Sequence, residues 1–116
     1  MLSSESYWKL LEQLVSESEI IIDRPKGTCH PKFQGMIYPL DYGYLKNTTS
    51  MDNNGIDVFV GSLKNKNING ILCNVDILKK DSEIKILIGC TEKEIQVVHN
   101  WMNASDYMKC IFIKRK

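Results

Sequence analysis

Length, composition and charge place this chain among small globular proteins. Its 116 residues carry 15 basic and 14 acidic side chains, a net charge of +1, and 43% of them are hydrophobic. This length fits one domain, residues 1–116, and is short for two. The near-neutral charge argues against a nucleic acid or an anionic membrane as partner, because no global field would attract either.

The N-terminus and the cysteines favour an intracellular protein. The first residues mix polar and apolar side chains and include Glu5, unlike a secretory signal. No apolar run reaches the roughly 20 residues of a membrane-spanning helix. The four cysteines are widely spaced and form no CxxC pair, which favours free thiols over a zinc site or disulfides. We therefore expect a cytoplasmic protein with reduced cysteines.

The first half of the chain predicts one helix, one strand and a long irregular segment. Apolar residues recur at helical spacing over residues 4–16, after serines that are suited to capping. Residues 19–23 form a β-branched run that predicts a strand, which Pro25 would end. Residues 26–55 are rich in loop-forming residues, with short extended pieces at 36–38 and 42–45.

The second half predicts mostly antiparallel strands and a second helix. We expect a tight turn at Asp81-Ser82, and a helix that starts at a Thr91–Glu94 capping box and ends near Asn103. The predicted strands span residues 56–60, 70–79, 83–88 and 109–114. The fold class is therefore α+β, mainly β, with a helix towards each end.

Several carboxylates lie where predicted loops enter strands. Asp52 and Asp57 flank the start of one strand, and Asp81 and Glu83 flank another. Ionised carboxylates offer only acceptor oxygens, the ligands that Mg²⁺ prefers. The alternative is that these residues are ordinary turn formers, since aspartate is common in turns for local reasons.

Basic and tyrosine side chains supply groups that would suit a phosphate. Lys85 follows Glu83 by two residues, so both side chains point to the same face of one strand. Three tyrosines occur within seven residues, at positions 38, 42 and 44, each with a hydroxyl that is able to donate to a phosphate oxygen. The other basic candidates are Arg24, Lys26, Lys32 and Lys46.

Residues 38–60 read YPLDYGYLKNTTSMDNNGIDVFV. This stretch resembles the signature of the soluble (family I) inorganic pyrophosphatases, YPxNYGY followed by D-x-D-P-x-D-V-x-V, and the similarity extends over residues 20–88. The resemblance implies a small OB-like five-stranded barrel with an N-terminal and a C-terminal helix. It also implies Mg²⁺-dependent hydrolysis of a phosphoanhydride, most simply inorganic pyrophosphate to phosphate.

The resemblance also assigns roles to individual residues. It implies Asp52, Asp57, Glu83 and Asp23 as ligands or outer-shell residues for Mg²⁺, with Asp57 serving the catalytic step as well. It implies Tyr42 as a catalytic tyrosine, and Asn54 stands at the position of the catalytic acid. The substrate-binding residues that it implies are Lys32, Tyr38, Lys85 and Arg24.

The chain departs from the family pattern at several of these positions. Asn54 replaces the aspartate that is thought to activate the attacking water, and an amide nitrogen does not accept a proton near neutral pH. Gln34 replaces a metal-shell glutamate, and Asp41 replaces the asparagine of the tyrosine motif. The hairpin that carries a phosphate-binding arginine is shortened, with Arg24 as the candidate to reach the same space. Trp101-Met102 stands where a tyrosine-lysine pair is expected.

Three functions follow, in order of preference. The first is a divergent phosphoanhydride hydrolase in which Asp41, or a metal-bound hydroxide, replaces the missing base. The second is a catalytically impaired module that binds a phosphate or nucleotide ligand, or a partner protein. The third, an OB-type nucleic-acid binder, is disfavoured by the lack of a basic stripe.

The sequence leaves open whether the protein forms a homo-oligomer, because Tyr7, Trp8 and Leu11 are suited to cover either the barrel or a neighbouring subunit.

Overall fold

Residues 3–116, the part of the chain that this computed structural model describes, form a six-stranded sheet and two α-helices. The predicted class, mainly β with a helix towards each end, is confirmed. Six strands take part rather than five, since β1 and β6 pair at the two edges. The elements are α1 (Glu5–Ser16), β1 (Ile20–Arg24), β2 (Asp41–Leu45), β3 (Asp57–Val60), β4 (Ile68–Asp76), β5 (Asp81–Ile88), α2 (Glu92–Met102) and β6 (Met108–Lys114).

The sheet has the strand order β1-β2-β3-β5-β4-β6. Every neighbouring pair is antiparallel except β3 and β5, which are parallel. Asp57 of β3 is therefore in register with Lys85 of β5. The parallel pair places two predicted site residues side by side, although they are far apart in the sequence.

Two hydrophobic clusters cover the two faces of the sheet. On one face α1 contributes Trp8 and Leu11, which pack in a cluster with Val58 and Ile86. On the other face α2 contributes Val98 and Met102, packed in a second cluster with strand residues. Trp8 and Leu11 thus cover this chain's own sheet, whereas Tyr7 is 45% exposed.

The capping box at the start of α2 is confirmed. The Glu94 backbone N–H donates to Thr91 Oγ1 at 3.1 Å, and the Thr91 N–H donates to Glu94 Oε1 at 2.8 Å. At the other helix, Ser4 is the N-cap residue and Ser3 Oγ accepts from the Glu5 N–H at 3.4 Å.

The turn between β4 and β5 lies earlier than predicted. It spans residues 77–80, and Asp81 is already the first residue of β5. Asp76 makes this turn, because its Oδ1 accepts hydrogen bonds from the backbone N–H groups of Leu78 at 3.0 Å and Lys79 at 3.1 Å. Lys80 completes it with a φ of 59°. The prediction of a turn at Asp81-Ser82 is therefore wrong.

The cysteines are free. Cys29 is exposed, whereas Cys90 and Cys110 are buried. Burial raises the pKa of the Cys90 thiol to about 12, so this thiol stays protonated and unreactive near neutral pH. Among residues 3–116, no helix is long and apolar enough to cross a membrane.

Gly43 sits between Tyr42 and Tyr44 because the neighbouring strand approaches too closely for a side chain. It pairs with Ile22, and a Cβ at this position would overlap the backbone carbonyl of Ile21. We expect Gly43→Ala to lower the free energy of unfolding by about 3 kcal/mol, as measured by urea unfolding. Gly35→Ala is the control, since its Cβ would meet open space and only the positive φ of 90° opposes it. Equal losses in the two variants would contradict the steric explanation.

Candidate active site

A cavity of about 780 Å³ opens on the face of the sheet that α2 covers. Its walls come from β1, β2 and the segment between them, the loop before β3, strands β3 to β5 with the β4–β5 turn, the end of α2 and the start of β6. The residues to which the resemblance assigns catalytic, substrate-binding or metal roles all line it: Asp23, Arg24, Lys32, Tyr38, Tyr42, Asp52, Asn54, Asp57, Glu83 and Lys85. The fold thus collects these residues around one space, and the roles predicted for them stay predictions.

Lys85 is the centre of the polar network. Its ammonium donates to Asp57 Oδ2 at 2.7 Å, to the Tyr42 hydroxyl at 3.0 Å and to Glu83 Oε1 at 3.1 Å. The side chain is only 9% exposed, and those of Asp57 and Glu83 are 21% and 11% exposed. An ammonium has three N–H bonds, so these three acceptors occupy all of them.

The charges in this network hold Lys85 in its protonated form. Burial alone would lower the pKa of Lys85, but Tyr42, Asp57 and Glu83 outweigh it and raise the pKa above the ordinary lysine value. Burial also raises the pKa of Tyr42, so its hydroxyl keeps its proton. Burial raises the pKa of Glu83 as well, against the opposing effect of Lys85. Lys85 is therefore a fixed positive charge and not a proton acceptor.

Arg24 is a second cation of the site and lies against the rings of Tyr38 and Tyr42. Arg24 Nη1 donates to the Tyr38 hydroxyl, and the guanidinium carbon lies 5.5 Å from the Tyr38 ring centroid and 5.7 Å from that of Tyr42. The two rings stack with centroids 5.1 Å apart. Burial would lower the pKa of Arg24, but the hydrogen bond to Tyr38 and the charges around it raise it. Arg24 therefore presents a permanent charge that is held in place by aromatic contacts.

The loop before β3 is organised by Asp52. Its Oδ1 accepts from the Ser50 hydroxyl and, at 2.9 Å, from the backbone N–H of Asn54. These hydrogen bonds lower the pKa of the Asp52 carboxyl. The backbone carbonyl of Asn54 in turn accepts from the Ser50 N–H at 2.8 Å. Backbone contacts thus hold position 54 at the cavity wall, whichever side chain it carries.

Some residues that the sequence suggested take no part in the cavity wall. Within residues 3–116, Gln34 and Asp41 are not among the lining residues. Asp41 Oδ1 instead accepts from the backbone N–H of Lys26 at 2.9 Å. Lys46 lies 3.9 Å from Glu19 on the exposed surface. Asp41 is therefore a poor candidate to replace the base missing at position 54.

The carboxylates are not arranged as a ready-made metal centre. In the described part of the chain, no group of three or more His, Cys, Asp or Glu side chains is placed to hold a metal ion. Asp57 and Glu83 share the ammonium of Lys85 instead.

Sequence reasoning missed two polar residues of β4. Asn74 and Asp76 line the cavity and are only 2% and 7% exposed. They share a face with the core residue Leu72, because side chains alternate along a strand. In the sequence, polar residues occupy the next two positions on the face of β4 that carries the apolar Leu72. This pattern would have indicated that Asn74 and Asp76 line a site. The register puts Asn74 directly beside Glu83.

Comparisons with known proteins show where this fold occurs. No protein-family model matches the chain, and no curated protein matches it significantly. Among solved structures, it resembles an inorganic pyrophosphatase from Neisseria gonorrhoeae at 15% identity and a TM-score of 0.54, over 79% of this chain and 71% of that one.

Two further structures give similar values. An inorganic phosphatase from Anaplasma phagocytophilum matches at 15% identity and a TM-score of 0.51, over 84% of this chain and 74% of that one. An inorganic pyrophosphatase from Helicobacter pylori matches at 13% identity and a TM-score of 0.50, over 84% and 75%. The chain therefore has the inorganic pyrophosphatase fold, in a divergent form.

Proposed function

We propose that this chain hydrolyses a phosphoanhydride, most simply inorganic pyrophosphate, that enters the cavity together with Mg²⁺. The observation that carries this proposal is the convergence of Arg24, Lys32, Lys85, the tyrosine hydroxyls and several carboxylates on one cavity. The likeness of the fold to inorganic pyrophosphatases supports the same conclusion.

The charge of the cavity favours a substrate that carries a cation. Four basic side chains line it, Arg24, Lys32, Lys79 and Lys85. They face six carboxylates, those of Asp23, Asp52, Asp57, Asp76, Asp81 and Glu83. A free polyanion is attracted by the basic side chains but repelled by the carboxylates. A complex with a divalent cation offers negative charge to the basic side chains and positive charge to the carboxylates. We therefore infer a magnesium–phosphoanhydride complex as the species that binds.

The carboxylates of the cavity suit Mg²⁺ when the ion enters bound to the phosphoanhydride. Mg²⁺ is usually held by one or two carboxylates and completes its octahedron with substrate phosphates and water. Asp57 and Glu83 supply two carboxylates beside the phosphate-binding side chains, and Asp52 lines the same cavity. When bound, Mg²⁺ neutralises phosphate charge and acidifies a water molecule.

The side chains of the site would bind and orient the phosphates. Tyr42 keeps its proton because burial raises its pKa, so its hydroxyl donates to a phosphate oxygen rather than accepting a proton. Arg24 and Lys32 add positive charge near the same wall. Lys85 has no N–H to spare, so it turns towards a phosphate only when one of its two carboxylate partners is engaged elsewhere.

A second function is favoured by Asn54. The side chain at this position lines the cavity but is an amide, so it does not serve as the base for an attacking water. A module that binds the phosphoanhydride and leaves it intact fits this residue equally well.

Phosphate release from pyrophosphate, measured with Mg²⁺ and with chelator, tests the proposal. We expect Mg²⁺-dependent release that falls about 100-fold in Asp57→Asn, because that change removes the negative charge beside Lys85 and one of the carboxylates that would hold Mg²⁺. Asp106→Asn, an exposed site outside the cavity lining, is the matched control and should retain full activity. Binding without release in the wild type would favour the second function. Neither release nor binding would overturn both.

A further inference from the structure

In the described part of the chain, Asn74 has a buried side-chain oxygen without a hydrogen-bond partner. The residue is 2% exposed, and its side-chain nitrogen lies 3.9 Å from Met108 Sδ. Its Oδ1 is buried and has no hydrogen-bond partner within residues 3–116. A buried carbonyl without a donor is destabilising, so this oxygen is a place where a donor from outside the chain would be stabilised.

The position of this atom relates it to the phosphate-binding residues. Asn74 is in register with Glu83, whose carboxylate accepts from Lys85. The neighbouring acceptor on β4, Asp76 Oδ1, is already used by two backbone N–H groups of the turn. Within residues 3–116, Asn74 Oδ1 is therefore a buried acceptor without a partner, on the residue paired with Glu83.

Apolar and aromatic residues also line the cavity, and they include Met108, the neighbour of Asn74. Trp101 lies against Tyr38, with ring centroids 4.9 Å apart, and Tyr38 stacks on Tyr42. The aromatic wall is thus continuous from the phosphate-binding hydroxyls to the indole of Trp101. The cavity is also lined by Leu78, Met102, Tyr107 and Met108.

The cavity is also larger than a bare diphosphate requires. Its volume of about 780 Å³ falls within the range of roughly 300–1,000 Å³ that is usual for drug-sized ligands. Apolar walls beside an unpaired buried acceptor suit a planar group that carries an N–H donor. A purely apolar group would leave Asn74 Oδ1 unpaired, and a bare phosphate would leave the aromatic wall unused.

We propose that this part of the cavity, lined by Asn74, Trp101 and Met108, binds the base of a nucleoside diphosphate. The inference rests on the proposed function and names the substrate class for it. The terminal phosphate would react with water: the water oxygen bonds to the terminal phosphorus, and the bond from that phosphorus to the bridging oxygen breaks. The products are a nucleoside monophosphate, inorganic phosphate and one proton released to solvent.

Activity on ADP and on pyrophosphate, each with Mg²⁺, tests this inference in wild type and in Asn74→Leu. We expect kcat/KM for ADP to fall about tenfold in the variant, because the base loses its acceptor, and kcat/KM for pyrophosphate to change less than about twofold. Asn100→Leu, at an exposed site outside the cavity lining, is the control. If the wild type hydrolyses neither ligand, the dissociation constants of ADP and pyrophosphate are compared between the wild type and the variant instead.

The outcomes separate this inference from the proposed function. Pyrophosphate hydrolysis without any binding of ADP overturns the nucleotide inference alone, and so does an equal loss for both ligands in Asn74→Leu. Failure to bind either ligand overturns both.

Tryptophan fluorescence provides a second measurement in case Asn74→Leu does not fold. Trp8 is buried in the opposite cluster, so Trp8→Phe leaves Trp101 as the reporter. Stacking of the base should quench Trp101 emission with ADP and Mg²⁺ but not with pyrophosphate and Mg²⁺. Identical emission with both ligands would overturn the inference.

Discussion

Lys85→Met should lower the free energy of unfolding by about 3–5 kcal/mol and abolish phosphate release. The ammonium is the shared partner of Asp57, Glu83 and the Tyr42 hydroxyl, and its side chain is only 9% exposed. Its removal leaves two carboxylates close together with no cation between them. Urea unfolding followed by circular dichroism measures the loss. Lys64→Met, at an exposed lysine that is not among the cavity-lining residues, should change stability by less than about 0.5 kcal/mol.

The pH dependence of this loss has a definite sign. In the wild type the pKa of Lys85 is raised, so its stabilisation is complete below the ordinary lysine value and disappears only in alkaline solution. In the wild type burial already raises the pKa of Glu83, and loss of the ammonium removes the opposing effect of Lys85 and raises that pKa further above its unfolded value. Such groups lose stability as pH increases through their folded pKa, so the deficit of Lys85→Met should be larger at pH 8 than at pH 5. A deficit that is small at both values would contradict the network.

Asn54→Asp should raise the rate of phosphate release by about 100-fold, or create activity where the wild type has none. The new carboxylate stands at the cavity wall, at the position where the pyrophosphatase signature that the sequence resembles has an aspartate thought to activate water, and it is able to accept a proton. The backbone contacts of position 54 with Ser50 and Asp52 do not depend on the side chain, so the loop should keep its shape.

Asn53→Asp is the matched control for this change. It adds the same charge in the same loop, one residue away, but position 53 is not part of the cavity wall within the described chain. Equal rates in the two variants would show that charge alone, rather than a placed base, changes the activity. Asn54-Gly55 is also prone to deamidation, so the intact mass of each sample has to be checked before assay.

Local patterns accounted for much of the fold. Helical spacing located α1, and the Thr91–Glu94 pair located the start of α2, because capping and periodicity depend on residues within a few positions of each other. The β4–β5 turn was misplaced for a local reason as well. Aspartate is common in turns, so both Asp76 and Asp81 are suited to this one. Only the hydrogen bonds that Asp76 accepts from the backbone N–H groups of Leu78 and Lys79 show which of them forms the turn.

By itself the sequence determined which side chains are candidates for a phosphate site and that Glu83 and Lys85 share one face of a strand. Only the tertiary structure decided that Asp57 and Glu83 share the ammonium of Lys85, and that Asn74 lies beside Glu83 with an acceptor that has no partner within residues 3–116. The physical reason is that strand order and register are set by burial over the whole sheet. The parallel pairing of β3 with β5 has no local signal in either strand.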